Sequence, residues 1–357
     1  MVTLVAGQPL RVAFLTYALH LGGAERWIIS LCREFDRSRV IPTIVAVNNW
    51  SLIHQITRTA LPRDVGILPS QVVADQWPAF ADVVIGWGNC SLGPLATKRG
   101  VPTVSCIHGA TLCSWTKLAV DDALASGAKL AGVNEACRGV LPAEHREAMT
   151  VLANGADPSR AAPLEGREAT RAKLGIRPDQ KVVAHIGRVM QDKDVPALAS
   201  GVGALPEDWL LLVCGPLASQ PPDMAAISRL AGDRMFYLPP RDHVGDLLAA
   251  ADVFALLSPS EAHPLAMTEA WLAGVPVVAT DLPWLAALEK KHGELAIKVA
   301  PRHDPNEVAA ALEQACALPQ PQRLQRQAIA QKHYTAAAMA RRWEAWLMSE
   351  VVPLSFE

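Results

Sequence analysis

The stretch Ser258-Pro259-Ser260-Glu261-Ala262-His263-Pro264-Leu265-Ala266-Met267-Thr268-Glu269-Ala270 leads through a short gap into Gly274-Val275-Pro276-Val277-Val278-Ala279-Thr280-Asp281. The apolar run Val253 to Leu256 stands in front of it, so the whole reads strand, turn, helix, turn, strand: one βαβ unit of a parallel sheet. Pro264 suits the first turn of the helix, where unpaired backbone N–H groups favour a phosphate. Glu261 lies before this helix and Glu269 inside it. The first carboxylate can therefore face the mouth of a binding cleft, while the second reaches a ligand lying along the helix start. The plain alternative is that Glu261 or Ser260 caps the helix and Glu269 sits on a solvated face.

The same alternation of short apolar runs and helical patterns extends to both ends of the chain, which predicts an α/β fold with parallel sheets buried on both faces. In the first half the strands are expected at Val12 to Tyr17, Pro42 to Val47, Val83 to Gly86, Thr103 to Ile107, Leu130 to Val133 and Met149 to Ala153, with a helix opening at Gly23. In the second half they are expected at Lys181 to Ile186, Trp209 to Cys214, Met235 to Leu238, Val253 to Leu256, Val275 to Ala279 and Ala296 to Val299. Helices between them include Gly245 to Ala251 and Pro264 to Ala273. The polar segment from Asn154-Gly155-Ala156-Asp157-Pro158 to Glu165-Gly166-Arg167 separates the two series. This gives domains at 1–155 and 176–321, a linker at 156–175, and a tail at 322–357 whose part from Gln322 to Met348 reads as one helix able to pack across the domain junction. Two doubly wound sheets of this kind bind ligands at the C-terminal ends of their strands, so a site using both halves is expected in a cleft.

A chain of 357 residues suits about two domains. Half of its residues are hydrophobic and 19% are charged, below the roughly 25% of an average soluble domain, so it can fill large cores and is not a disordered chain. Lys and Arg number 33 against 35 Asp and Glu, a formal net charge of -2. No global field draws nucleic acid or anionic lipid, and an anionic ligand must be met by a few placed cations. The seven cysteines (Cys32, Cys90, Cys106, Cys113, Cys137, Cys214, Cys316) are odd in number and form no C-x-x-C pair, which argues for free buried thiols over a disulfide framework or zinc site. The apolar run Val12 to Leu19 after Arg11 imitates a signal-peptide core, but no A-x-A-like site follows, and a buried strand explains it better. No stretch approaches the roughly 20 apolar residues of a membrane span. A cytoplasmic protein is expected.

Several local constellations carry chemistry. Gly22-Gly23 at a strand-to-helix turn lets backbone N–H groups approach a phosphate, or is an ordinary tight turn. The dinucleotide signature G-x-G-x-x-G is absent there, and Gly86-Trp87-Gly88 lacks its third glycine, which speaks against a dehydrogenase. Arg188 and Lys193 lie five residues apart in the loop after a strand, so both can converge on a diphosphate, Arg as a planar fork and Lys as a compact charge. His108 ends an apolar strand before Gly109, where its imidazole faces the cleft or serves as a structural histidine. His185 and His263 are weaker candidates, and no histidine spacing suits a metal. Of the ten tryptophans, Trp27, Trp50, Trp77, Trp87 and Trp115 fall in the first half; core packing is their default, stacking platforms for a sugar the alternative.

Taken together, Glu261 and Glu269 as an E-x7-E pair, the Gly22-Gly23-Ala24-Glu25 loop, His108-Gly109, Val133-Asn134-Glu135-Ala136, Asn154-Gly155-Ala156-Asp157, Gly187-Arg188 and Lys193 resemble, in order and over nearly the whole chain, family 4 of the retaining glycosyltransferases. The resemblance implies the GT-B fold of two Rossmann-like domains facing a cleft, with the acceptor on the first and the donor on the second. It implies transfer of a sugar from a nucleotide diphosphate sugar to an acceptor hydroxyl with retention at the anomeric carbon. The lack of a metal-ligand cluster or acidic triplet in the sequence, with Arg188 and Lys193 present, adds the expectation of activity without cofactor or divalent metal. Arg188 and Lys193 would then stabilise the departing diphosphate, and Glu261 would hold the sugar. Glu269 would hold the donor ribose, and His108 would contact the transferred sugar or lie near the acceptor. Gly22, Gly23, Pro264 and Leu265 would complete the donor site. The acceptor would be a sugar, a lipid-linked group or a small molecule, with peripheral membrane association possible and no nucleic acid partner. Asp194 stands where a glycine often follows the motif lysine, and Ala262-His263 replaces a common Gly-Phe pair. These departures bear on sugar selectivity, and Asp194 suggests a different loop, since it is less free than glycine to adopt φ > 0. A nucleotide-sugar epimerase of similar fold and a catalytically silent nucleotide-sugar-binding subunit stay open as alternatives.

Overall fold

The computed structural model describes residues 8–17, 19–46, 54–69, 77–87, 100–111, 114–218 and 220–352. Trp50, Gly88, Cys90 and Cys113 lie outside the described residues, as do the side chains of Trp77 and Trp115. The chain divides into two compact units: Met1–Gly155 together with Ala336–Glu357, and Ala156–Thr335.

The first unit carries a sheet of seven strands: β1 (Leu10–Thr16), β2 (Val40–Ala46), β3 (Gly66–Pro69), β4 (Val83–Trp87), β5 (Thr103–Ile107), β6 (Lys129–Gly132) and β7 (Thr150–Val151). They are all parallel, in the order β3-β2-β1-β4-β5-β6-β7. The second unit holds six: β8 (Lys181–Ile186), β9 (Trp209–Cys214), β10 (Met235–Leu238), β11 (Val253–Leu256), β12 (Val277–Thr280) and β13 (Ile297–Val299). Their order is β10-β9-β8-β11-β12-β13, again parallel throughout. Both are the doubly wound Rossmann order, in which the strand sequence reverses between the first and fourth strands of the unit, β1 and β4 or β8 and β11.

The reason lies in the strands themselves. Every residue of β5, β9, β11 and β12 is buried, as a parallel strand covered by helices on both faces requires. In the second unit Val183, Leu211, Val213, Val253 and Val278 form one core with Val195, Leu198, Val308 and Leu312 from the covering helices. Each such fully buried aliphatic side chain contributes about 1.5–3 kcal/mol. β3 was not anticipated from the sequence: four residues opening on Gly66 and closing on Pro69 make an edge strand with little pattern to read.

The tail differs from the single helix expected. It forms Gln320–His333 in the second unit and Ala336–Trp346 in the first, with Tyr334 and Thr335 between them. The Tyr334 carbonyl accepts from Ala156 N at 2.9 Å, and His292 Nε2 meets the Tyr334 hydroxyl at 2.8 Å, so tertiary bonds interrupt the helix where its own sequence would let it run on. Ala336–Trp346 lies on the first helix, Gly23–Glu34, where Trp343 meets Trp27 edge-on at 5.4 Å. Glu344 in this helix accepts from Asp36 N at 2.8 Å. Cys32, Cys106, Cys137 and Cys214 are free and buried, and Cys316 is free and partly buried. No helix among the described residues is long and apolar enough to cross a membrane.

Candidate functional site

The second sheet reverses between β8 and β11, and the loops leaving these two strands carry most of the charged residues singled out above. Gly187 N donates to the Cys214 carbonyl at 2.9 Å and Val189 N to that of Pro216 at 2.9 Å, pinning the loop after β8 to the loop after β9. The approach is close enough that a Cβ on Gly215, whose φ is +154°, would stand 1.8 Å from the Gly187 carbonyl oxygen. Gly215 is therefore the residue that lets the two loops meet. Beyond this junction a single turn, Gln191–Lys193, presents Lys193, and Asp194 closes it with φ 46° and ψ 42°. The loop difference expected from Asp194 is thus corrected: the aspartate adopts the left-handed conformation a glycine would, at a cost of about 1–2 kcal/mol.

Lys193 Nζ reaches Glu261 Oε1 at 2.6 Å, linking the loop after β8 to the loop after β11. Both side chains are largely sheltered, 16% and 13% exposed, so the pair is only weakly screened by solvent. Glu261 is thereby a partner of Lys193 and not a helix cap. Arg188 is exposed and has no hydrogen-bond or ion-pair partner among the described residues. The helix after Glu261 begins at Leu265, with Pro264 at its cap position and no side-chain cap hydrogen bond from that residue.

Glu269 is 5% exposed, which excludes a solvated face. Its Oε1 accepts from Arg160 Nε at 2.8 Å, and Arg160 Nη1 also meets Asp242 at 3.2 Å. Burial works against the charged guanidinium, but the Glu269 carboxylate more than offsets it and raises the Arg160 pKa. Sequence reasoning passed over Arg160 because it stood in the presumed linker. The signal was Asp157-Pro158: Asp157 caps a short helix, Pro158–Ala161, accepting from Ser159 N at 2.8 Å, and this helix carries the guanidinium.

The two histidines ranked lower resolve differently. His263 is 4% exposed, stacked on Trp284 at 6.1 Å and edge-on to Tyr334 at 5.3 Å. It fills an aromatic position in the core of the second unit. His185 is fully buried at the end of β8; its Nδ1 donates to the Ala255 carbonyl at 3.2 Å, and Nε2 has no partner among the described residues. Burial, helped by the Lys193 charge, lowers its pKa to about 4 and keeps it neutral.

In the first unit, Gly22 caps the helix Gly23–Glu34, and a Cβ there would lie 2.5 Å from Glu25 Oε2. The glycine makes room for a carboxylate over the helix N-terminus, where its charge is favoured. Following β5, His108 packs edge-on against Trp27 at 4.6 Å and Trp87 at 5.9 Å. Its Nε2 is buried without a partner among the described residues, and burial lowers its pKa to about 3. Trp87 Nε1 donates to Thr16 Oγ1 at 3.2 Å, across the ends of β4 and β1. Trp27 is core, as its default reading expects. Among the described residues no three His, Cys, Asp or Glu side chains are grouped to hold a metal ion.

These features define an α/β protein of two Rossmann-like, doubly wound domains. The same fold occurs in the crystal structure of Anabaena HepE in complex with UDP-glucose, at a TM-score of 0.75 and 20% identity over 96% of this chain and all of that one. It occurs also in WaaG, a glycosyltransferase involved in lipopolysaccharide biosynthesis, at a TM-score of 0.71 and 17% identity over 93% of this chain and 98% of that one. Residues 180–317, within the second unit, match the family described as Glycosyl transferases group 1. The D-inositol 3-phosphate glycosyltransferases of Mycolicibacterium gilvum and Mycolicibacterium smegmatis are 29% and 31% identical over 239 residues, 60% of this chain. The chain spans about half the length of these curated relatives, 54% and 55%.

Proposed function

We propose that this protein is a retaining glycosyltransferase of family 4, moving a sugar from a nucleotide diphosphate sugar to an acceptor hydroxyl. The observation that carries the reading is the pair of carboxylates flanking one helix start, each engaged by a cation from a distant segment: Glu261 by Lys193 and Glu269 by Arg160. The family match over residues 180–317 and the UDP-glucose complex of the HepE neighbour support the same donor class.

In this reading the diphosphate lies against Lys193, the unpartnered Arg188 and the N-terminus of the helix at Leu265, next to Pro264. The bond from the anomeric carbon to the β-phosphate oxygen breaks while the acceptor oxygen bonds to that carbon on the same face, and the acceptor proton passes to the departing phosphate. Negative charge grows on the diphosphate, and preorganised cations stabilise it most at that moment. Glu269 keeps one oxygen on Arg160 and offers the other to the donor ribose; Glu261 takes a hydroxyl of the sugar. On the first unit, Gly22 and Gly23 are assigned to donor contact and the neutral Nε2 of His108 to a hydroxyl of the sugar or acceptor. The acceptor is a sugar, a lipid-linked group or a small molecule, and the setting is cytoplasmic, with peripheral membrane association allowed.

A thermal-shift panel of UDP-, GDP- and ADP-linked sugars identifies the donor, since a ligand of the folded state alone raises its melting temperature. NMR of the product then reads the anomeric configuration. Retention with turnover unchanged by EDTA is expected; an inverted product, or loss in EDTA restored by magnesium, overturns that part of the reading.

A further inference from the structure

Lys193 and Glu261 are each other's sole side-chain partner among the described residues, at 2.6 Å and mostly sheltered from water. Glu269 is held differently, by an Arg160 that also engages Asp242 and lies on a separate helix. A diphosphate arriving at the first pair competes with Glu261 for Lys193, whereas Arg188 is free to meet phosphate without any such exchange.

We propose that Glu261 is a specificity-determining residue that makes the site distinguish a sugar-bearing donor from the bare nucleoside diphosphate left after transfer. This rests on the nucleotide-sugar reading above. When Lys193 turns to the phosphates, the Glu261 carboxylate loses its cation and stands beside new negative charge in a weakly screened place. A nucleotide sugar compensates, because a sugar hydroxyl donates to the carboxylate as Lys193 departs. The nucleoside diphosphate brings no hydroxyl at that position and carries additional charge on its terminal phosphate. It therefore meets an uncompensated carboxylate, and the ion pair re-forms as it leaves. The exchange favours entry of the donor and exit of the product with one side chain.

The consequence is opposite in sign to that of an ordinary binding residue. Titration calorimetry of UDP and UDP-glucose with the wild type and Glu261→Gln tests it, with GDP and ADP and their glucose or mannose forms used if the uridine pair does not bind. Removing the charge should tighten the nucleoside diphosphate about three- to tenfold while weakening the nucleotide sugar, since a like charge beside the phosphate is gone. Lys193→Ala should weaken the nucleoside diphosphate, and Lys193→Ala/Glu261→Gln should recover most of that loss. Arg188→Ala should weaken both ligands alike. Equal or weaker nucleoside diphosphate binding by a Glu261→Gln protein with an unchanged melting temperature overturns the inference alone. A wild type that binds none of the six ligands overturns the nucleotide-sugar reading, and this inference with it, before any variant is compared.

Discussion

At the reversal of the first sheet, β1 and β4 end in Thr16 and Trp87, joined by an indole N–H to hydroxyl bond of 3.2 Å, with His108 beside the same indole ring. At the corresponding reversal of the second sheet, the loops after β8 and β11 meet through Lys193 and Glu261. One strand order thus carries aromatic, neutral chemistry in one unit and paired charge in the other. The helix N-terminus that follows β1 already has the Glu25 carboxylate over Gly22, whereas the one after β11 has no side-chain cap. The second N-terminus therefore keeps more of its positive potential than the first, where a carboxylate already sits.

The largest expected effect tests the charged side. Lys193→Ala should lower kcat about 10²- to 10³-fold, the loss that follows removal of one preorganised electrostatic contact, with a smaller change in donor affinity. Steady-state kinetics on the identified donor measures this, and near-normal turnover would remove Lys193 from the catalytic set.

Next comes a property the two units share. Burial holds His108 at about 3 and His185 at about 4, both below the ordinary value of 6.5. The unfolded chain therefore binds these protons more readily, so the stabilisation is full above about pH 6.5. It is lost as pH falls from there towards the folded values, at about 1.4 kcal/mol per pH unit for each histidine. Denaturant unfolding at pH 7 and pH 5 should show a shallower acid loss in His108→Asn and His185→Asn than in the wild type. Curves parallel to the wild type would mean that neither ring is neutral through burial.

Smaller again, Glu269→Gln should raise donor KM about tenfold with little change in kcat, because a charged acceptor shared by Arg160 and the ribose becomes an amide. A fall confined to kcat would place Glu269 with Lys193 instead. The smallest effect probes the aromatic side: Trp87→Phe deletes the bond to Thr16 and should cost about 1 kcal/mol of stability. It should shift acceptor KM and leave donor KM alone; the reverse pattern would erase the contrast between the units.

The strands of the second unit were legible nearly to the residue, because Trp209–Cys214 and Val253–Leu256 are unbroken apolar runs bounded by turn formers and Lys181–Ile186 holds the apolar core Val182-Val183-Ala184. Glu261 and Glu269 were legible as candidates from their spacing within one βαβ pattern, and Lys193 from its place five residues after Arg188 in the loop after a strand. Arg160 was not: Asp157-Pro158 marks its short helix, but the partner Glu269 lies 109 residues away and only the tertiary fold brings the two together. His263 looked like a polar candidate because its type says nothing of the Trp284 and Tyr334 rings around it. The break at Tyr334 was likewise invisible, being made by Ala156 and His292 from elsewhere in the chain.

That break has a consequence for how the protein is made. The first unit is discontinuous: its Trp27 awaits Trp343, and Asp36 awaits Glu344, across the whole of the second unit. On a ribosome adding about 5–20 residues per second, the surface around Trp27 stays uncovered for roughly 10–40 s while Ala156–Thr335 emerges. The later-made unit, continuous in sequence, can finish first. The earlier one closes only when the Ala336–Trp346 helix leaves the exit tunnel, so a nascent chain stalled before it exposes an apolar face for a chaperone to hold.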